Sequence, residues 1–181
     1  MSEKPSYCDA LERTGALTAL DAFDPRVVGT PPLQIDVETS DIDILCHATD
    51  PDALLTSLWR AFSHRPEFRV WQWRSAGRPI IASFNAEGWS FEVFGSAVPV
   101  EQQLGWRHYQ IERRLLELGG RPFREAIMAR RRLGAKTEPA FWDVLGGLGD
   151  PYAGMARLAD LDDADLKRWL KQGGFQPNHL G

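Results

Sequence analysis

The sequence predicts an α+β fold in which a mixed, largely antiparallel sheet is flanked by helices and followed by a helical C-terminal region. Three observations carry that expectation. Strand-like runs at 68–73, 79–85 and 89–94 are separated by the turn-forming Ser75-Ala76-Gly77 and Ala86-Glu87-Gly88, and connections this short join antiparallel hairpins. Upstream, the run at 41–46 is rich in isoleucine and leucine and follows the turn-like Thr39-Ser40. After Gly95-Ser96 the apolar spacing changes to that of helices, and it stays so to the end. The expected division is an α/β core over residues 1–97 and a helical region over 98–181 packed on that core.

Between 7 and 23, Ala10, Leu11, Ala16, Leu17, Ala19 and Leu20 fall mostly at helical spacings, which predicts one opening helix despite Gly15. Asp24-Pro25 ends it, and 26–30 reads as a short strand running into a glycine turn. Pro31-Pro32 interrupts. Leu33, Ile35 and Val37 then alternate with Gln34, Asp36 and Glu38, a strand pattern, although 41–46 is the better strand of the two. Asp50 before Pro51 supplies a cap and a first-turn proline, and Leu54, Leu55, Leu58 and Phe62 recur at helical spacing up to Pro66. Past the three hairpin strands, 100–118 reads as a helix stopped by Gly119-Gly120. Pro122 opens a second, running to about Leu133, and Pro139 a third. A final amphipathic segment, 160–172, places Leu161, Leu166, Trp169 and Leu170 on one side before Gly173-Gly174.

With 181 residues, 43% of them hydrophobic and 25% charged, the chain is long and apolar enough to bury a core. No internal repeat is visible, which excludes solenoids and propellers. The longest uncharged apolar stretches, such as 79–84, are far shorter than the roughly 20 residues of a membrane span. Met1-Ser2-Glu3-Lys4-Pro5 lacks the basic start and apolar run of a secretory leader, and Cys8 and Cys46 stand alone, so a reducing cytoplasm is the expected location. A net charge of −4 and the lack of a DNA-binding motif argue against a dedicated nucleic-acid binder. The charge is uneven, however: residues 1–50 carry 3 basic and 10 acidic side chains, whereas 101–136 carry 9 basic and 4 acidic. An acidic site facing a basic wall is one reading of that asymmetry, and two ordinary solvated faces are the other.

Ser40-Asp41-Ile42-Asp43-Ile44 is the most informative stretch. In a strand, residues i and i+2 project to one side about 7 Å apart, so Asp41 and Asp43 share a face while Ile42 and Ile44 enter the core. Like charges this close call for a cation between them. Magnesium suits the position, since it takes one or two carboxylates, keeps waters and completes its shell with phosphate oxygens, and no His or Cys cluster favours zinc. The plainer alternative is a solvated strand edge or an aspartate cap. Glu92, charged within an otherwise apolar strand, is either a third metal carboxylate or an outward-facing charge. Gly29-Thr30, at a strand exit, lets backbone amides approach a phosphate.

The ordered set of Gly29-Thr30, Asp41-x-Asp43 and a later strand carrying Glu92 resembles the nucleotidyltransferase-fold superfamily typified by polymerase beta. It looks closest to a bacterial branch known as a domain of unknown function. The resemblance covers roughly residues 7–95 and implies a nucleotidyltransferase-type sheet for the core. It further implies that Gly29 and Thr30 meet the triphosphate, with Ser40 beside them a further candidate substrate contact, and that Asp41, Asp43 and Glu92 are the catalytic residues that ligate magnesium, or manganese in its place. Threonine stands at position 30 where serine is usual, and Pro31-Pro32 with the alternating segment replaces a basic stretch common in active members. The expected activity is transfer of a nucleotidyl group from a nucleoside triphosphate to an acceptor, whether small molecule, protein or RNA. A catalytically silent module of the same fold, binding nucleotides or proteins, is the alternative.

Arg107, His108 and Arg113 are candidate substrate contacts from the following helix. His108 lies between aromatic residues and reads as a packing histidine before a substrate contact, and Arg113, like Arg114, can instead pair with Glu112 or Glu117 on its own helix. His47, His64 and His179 have no partner at metal spacing, Arg130-Arg131-Arg132 reads as a solvated face, and the seven tryptophans are assigned to the core or the cleft.

Overall fold

A computed structural model describes residues 4–74 and 77–177; the opening Met1-Ser2-Glu3, Ser75-Ala76 of the first hairpin connection, and His179 lie outside the described residues. The chain folds as two compact units, one made of 1–32 and 38–106, the other of 33–37 and 107–181.

In the first unit, the opening segment is three pieces: α1 (Tyr7–Thr14), α2 (Ala16–Ala19) and a 3-10 turn (Asp21–Phe23). This corrects the single helix expected over 7–23. Gly15 takes a left-handed conformation (φ 64°) and its N–H caps the carbonyl of Glu12, which ends α1. Ser6 caps the other end by accepting from the Asp9 N–H. β1 (Arg26–Val28) leads into Gly29 and the one-turn α3 (Thr30–Leu33). The strand expected over 33–38 does not form. Pro31 and Pro32 sit comfortably in a first helical turn, and Gln34 at φ 58° breaks any extended run. Leu33 and Ile35 are buried instead in the core of the second unit, and Arg124 donates to the carbonyls of Leu33 and Gln34 that a neighbouring strand would have claimed.

β2 (Ile42–His47) precedes α4 (Pro51–Phe62), whose N-cap Asp50 accepts from the N–H groups of Asp52 and Ala53. Then come β3 (Arg69–Gln72), β4 (Ile80–Ala86) and β5 (Trp89–Ser96). Glu87 (φ 52°) and Gly88 (φ 77°) form the two-residue turn between β4 and β5, the left-handed pair that matches hairpin twist. The five strands lie in the order β1-β2-β5-β4-β3, with β2 and β5 parallel and the other neighbours antiparallel. One face of this sheet is the core: Ile42, Ile44, Phe91 and Val93 pack with Leu54, Leu58 and Phe62 of α4. Phe84 stacks between Phe62 (4.4 Å) and Phe91 (4.9 Å).

In the second unit, helix α5 (Leu104–Arg132), which begins in the first, is kinked at Gly120 (φ 63°, ψ −160°), so the stop at Gly119-Gly120 and the restart at Pro122 are both present. α6 (Thr137–Val144), α7 (Pro151–Leu158) and α8 (Asp163–Gln172) follow. Sequence reasoning missed α7, whose short Pro-Tyr-Ala-Gly-Met run has no apolar period; its N-cap Asp150 and Pro151 were the available signal. Ile111, Leu115, Phe123, Phe141, Leu166 and Leu170 lie in the core of this unit. No helix among the described residues is long and apolar enough to cross a membrane.

Candidate active site

The parallel pairing of β2 with β5 places Asp43 directly beside Glu92. Register partners share a face, and the neighbouring pairs Ile42–Phe91 and Ile44–Val93 point into the core, so Asp43 and Glu92 project from the opposite side of the sheet. Asp41, two residues before Asp43, lies on that same side. Glu92 has its pKa raised, first by desolvation and then by the charge of Asp41, which puts the two carboxylates within electrostatic reach.

On the other flank of β2, Val28 of β1 is the partner of Asp43, and the chain turns at Gly29 immediately after it. Gly29 is left-handed (φ 79°), and a Cβ there would collide with Oδ2 of Asp43. The Asp43 carboxylate therefore lies against the Gly29 backbone, a close approach that only glycine permits. Thr30 and Ser40 are both buried, and the Thr30 hydroxyl donates to Ser40 Oγ at 3.0 Å, tying the turn after β1 to the entry of β2. Six of the nine sequence candidates thus come from one end of one unit.

The other three belong to the second unit and are engaged within it. Arg107 pairs with Asp160 at 2.6 Å, and Arg113 bonds Gln110 Oε1 at 2.8 Å and lies 3.7 Å from Glu117. His108 is buried, its Nδ1 3.0 Å from Oε1 of Glu138, and its Nε2 makes no hydrogen bond among the described residues. Burial raises the Glu138 pKa, but the hydrogen bonds from His108 and from its own backbone N–H, with the charges of His108 and Lys136, outweigh it, and the net shift is downward. Cys46 is a core thiol, pushed up to about 12 by burial and by Asp24, and is therefore unreactive.

The donor chemistry on the acid face, three carboxylates beside a glycine turn, fits a hard divalent cation with phosphate oxygens. Among the described residues no three His, Cys, Asp or Glu side chains converge on a common point as a complete metal-holding group.

The raised pKa of Glu92 has a measurable consequence. The folded state holds a proton that the unfolded chain has already lost, so stability falls as pH rises from the ordinary glutamate range through the raised value. Glu92→Gln removes that loss. In chelator-containing buffer, urea unfolding is expected to show the variant more stable than the parent at about pH 8 and the two equal at about pH 3.5; equal stability at both values would mean that Glu92 is not under strain from its neighbours.

The fold is that of solved nucleotidyltransferase structures. Solved structures with this fold include the Cid1 poly(U) polymerase bound to magnesium and 3'-dATP (TM-score 0.52, 12% identity, 84% of this chain and 49% of that one). The GLD-2/RNP-8 complex is also similar (TM-score 0.51, 10% identity, 88% and 71%), as is a cytoplasmic RNA terminal U-transferase (TM-score 0.50, 14% identity, 84% and 46%). The chain spans about half the length of the Cid1 and U-transferase chains. No curated protein matches it in sequence. Residues 9–158 match the family described as Domain of unknown function (DUF4269), and the chain belongs to that family.

Proposed function

We propose that this protein is a nucleotidyltransferase that binds a nucleoside triphosphate with magnesium or manganese on the acid face of its sheet and transfers the nucleotidyl group to an acceptor hydroxyl. The observation that carries the reading is the side-by-side placement of Asp43 and Glu92 on parallel strands, with the Asp43 carboxylate lodged on the Gly29 turn. When bound, the cation neutralises phosphate charge and makes the attacking hydroxyl more acidic. Asp41 and Asp43 would hold it. Gly29 and Thr30 present their backbone N–H groups to the triphosphate, and the Thr30–Ser40 hydrogen bond keeps that turn in place. Glu92, less acidic than an ordinary glutamate, accepts the hydroxyl proton as the acceptor oxygen bonds to the α-phosphorus and the bond to pyrophosphate breaks. These steps do not require Arg107, His108 or Arg113, whose observed contacts lie within the second unit. Two unbridged thiols support a cytoplasmic location.

A second reading, a silent module of the same fold, is favoured by one observation: residues 29–40 contain no Lys or Arg to meet a triphosphate. A thermal-shift experiment separates the two. Because the carboxylates do not form a complete cation site by themselves, the ion and the triphosphate are expected to bind together. Magnesium with triphosphate at about 100 times the dissociation constant adds about 2.7 kcal/mol, a rise in Tm of about 5 to 10 °C for a chain of this length, and either component alone gives much less. A triphosphate shift indifferent to metal would instead support the silent module.

A further inference from the structure

The sheet's acid face continues past Glu92 to an open edge. Following the register across the strands, Asp43, Glu92, Ser83 and Arg69 form one row, and Leu45, Phe94, Ile81 and Trp71 form the next. Partners share a face, so Trp71 projects on the acid side. Trp73, two residues on, meets Phe94 edge to face with ring centroids 6.2 Å apart, which places it there as well. Neither ring is covered: Trp71 is 40% and Trp73 51% exposed. β3 is one of the two edge strands of the sheet, and at that edge a groove of about 660 Å³, lined by Leu55, Trp59, Arg60, Val70 and Trp71 itself, carries a third open ring, Trp59, 59% exposed. Tryptophans in such positions lie outside the core-or-cleft assignment made from sequence.

The charge around this edge is one-sided. Between residues 60 and 78 there are five arginines, Arg60, Arg65, Arg69, Arg74 and Arg78, and a single acid, Glu67. Glu67 neutralises Arg69 at 3.2 Å, while Arg60 and Arg74 form no ion pair with the described residues. Open aromatic rings interleaved with arginine suit a polymer that presents flat bases and phosphates together. The net charge of −4 conceals this, because the acids lie elsewhere in the chain.

We infer that the β3 edge, Trp71 and Trp73 with Arg60 and Arg74, binds a single-stranded nucleic acid by base stacking, which makes such a strand the acceptor of the reaction. This inference rests on the nucleotidyltransferase reading for the word acceptor; strand binding itself does not. Two strand spacings separate β3 from β5, about 10 Å. At about 3.4 Å per stacked nucleotide that is roughly three nucleotides, so a strand seated on the tryptophans reaches Glu92 with its end. A mononucleotide does not span that gap.

The test uses the full chain in EDTA without triphosphate, and a fluorescein-labelled single-stranded RNA of about 12 nucleotides read by anisotropy. Binding is expected, with quenching of tryptophan fluorescence, and Trp71→Ala and Trp73→Ala are each expected to weaken it about tenfold. Both rings are exposed, so the variants should fold as the parent does, which circular dichroism checks. Arg60→Ala is expected to reduce the slope of log affinity against log salt by about 0.7, the loss of one phosphate contact. Binding that is absent, that ignores all three substitutions, or that a nucleoside monophosphate competes for as well as the oligonucleotide would overturn the inference. So would a dimer in sedimentation that Trp71→Ala dissociates while no RNA binds, since the edge would then serve a second copy. With metal and triphosphate omitted, failure here leaves the acid site to its own tests, and failure there leaves this binding standing.

Discussion

Asp43→Asn is expected to abolish nucleotidyl transfer and metal-dependent triphosphate binding while leaving the fold intact. Asp43 lies beside Glu92 on the parallel strand, with Asp41 two residues before it, so three negative groups share one face. Neutralising one of them relieves repulsion, and the asparagine is the same size, so the turn against Gly29 is kept. A metal site, by contrast, loses a charged ligand and the triphosphate loses part of its counter-charge. Taking about 4 kcal/mol of transition-state stabilisation from the cation as the stake, the rate should fall about a thousandfold. Circular dichroism and urea unfolding check the fold; a grossly unfolded variant would show that the carboxylate is instead a structural hydrogen-bonding group.

Gly29→Ala should damage both stability and binding. At φ 79° an alanine is strained, and its methyl would meet the Asp43 carboxylate, which must move. Together these are expected to cost about 3 kcal/mol, or about 6 to 12 °C in Tm for a chain of this size. The two contributions separate in a double-mutant cycle. With Asp43→Ala in place the collision is gone and only the backbone strain remains, so Gly29→Ala should be clearly less destabilising there than in the parent. Additive effects would mean that the carboxylate does not lie against the turn.

Much of the first unit was legible in the sequence because its signals are local. The hairpin Ala86-Glu87-Gly88-Trp89, the capped helix after Asp50 and the alternation of acid and isoleucine across 41–44 each follow from neighbouring residues. Legibility failed where distant parts intervene. Residues 33–38 alternate like a strand, yet Leu33 and Ile35 meet their apolar requirement in a helical core and Arg124, some 90 residues away, takes the free carbonyls. Gly15 has the composition of a mid-helix glycine and the conformation of a cap. The same holds for the candidate site. Asp43 and Glu92 were suggested as a pair by strand periodicity, but their register depends on which strands become neighbours, which periodicity does not specify. The partners of Arg107 and His108 lie 53 and 30 residues away, at Asp160 and Glu138, and no local pattern announces them. That Trp71 and Trp73 are open follows from β3 being the sheet edge, a property of strand order alone.

The central claim is that the acid face holds a triphosphate through a divalent cation, and calorimetric titration of a non-hydrolysable nucleoside triphosphate tests it most directly. The parent protein should bind in magnesium and lose that binding in EDTA, while Asp43→Asn should show the weak EDTA behaviour in both buffers. Equal affinity for parent and Asp43→Asn, with or without magnesium, would contradict the claim and leave the fold as a binding module that does not use its carboxylates.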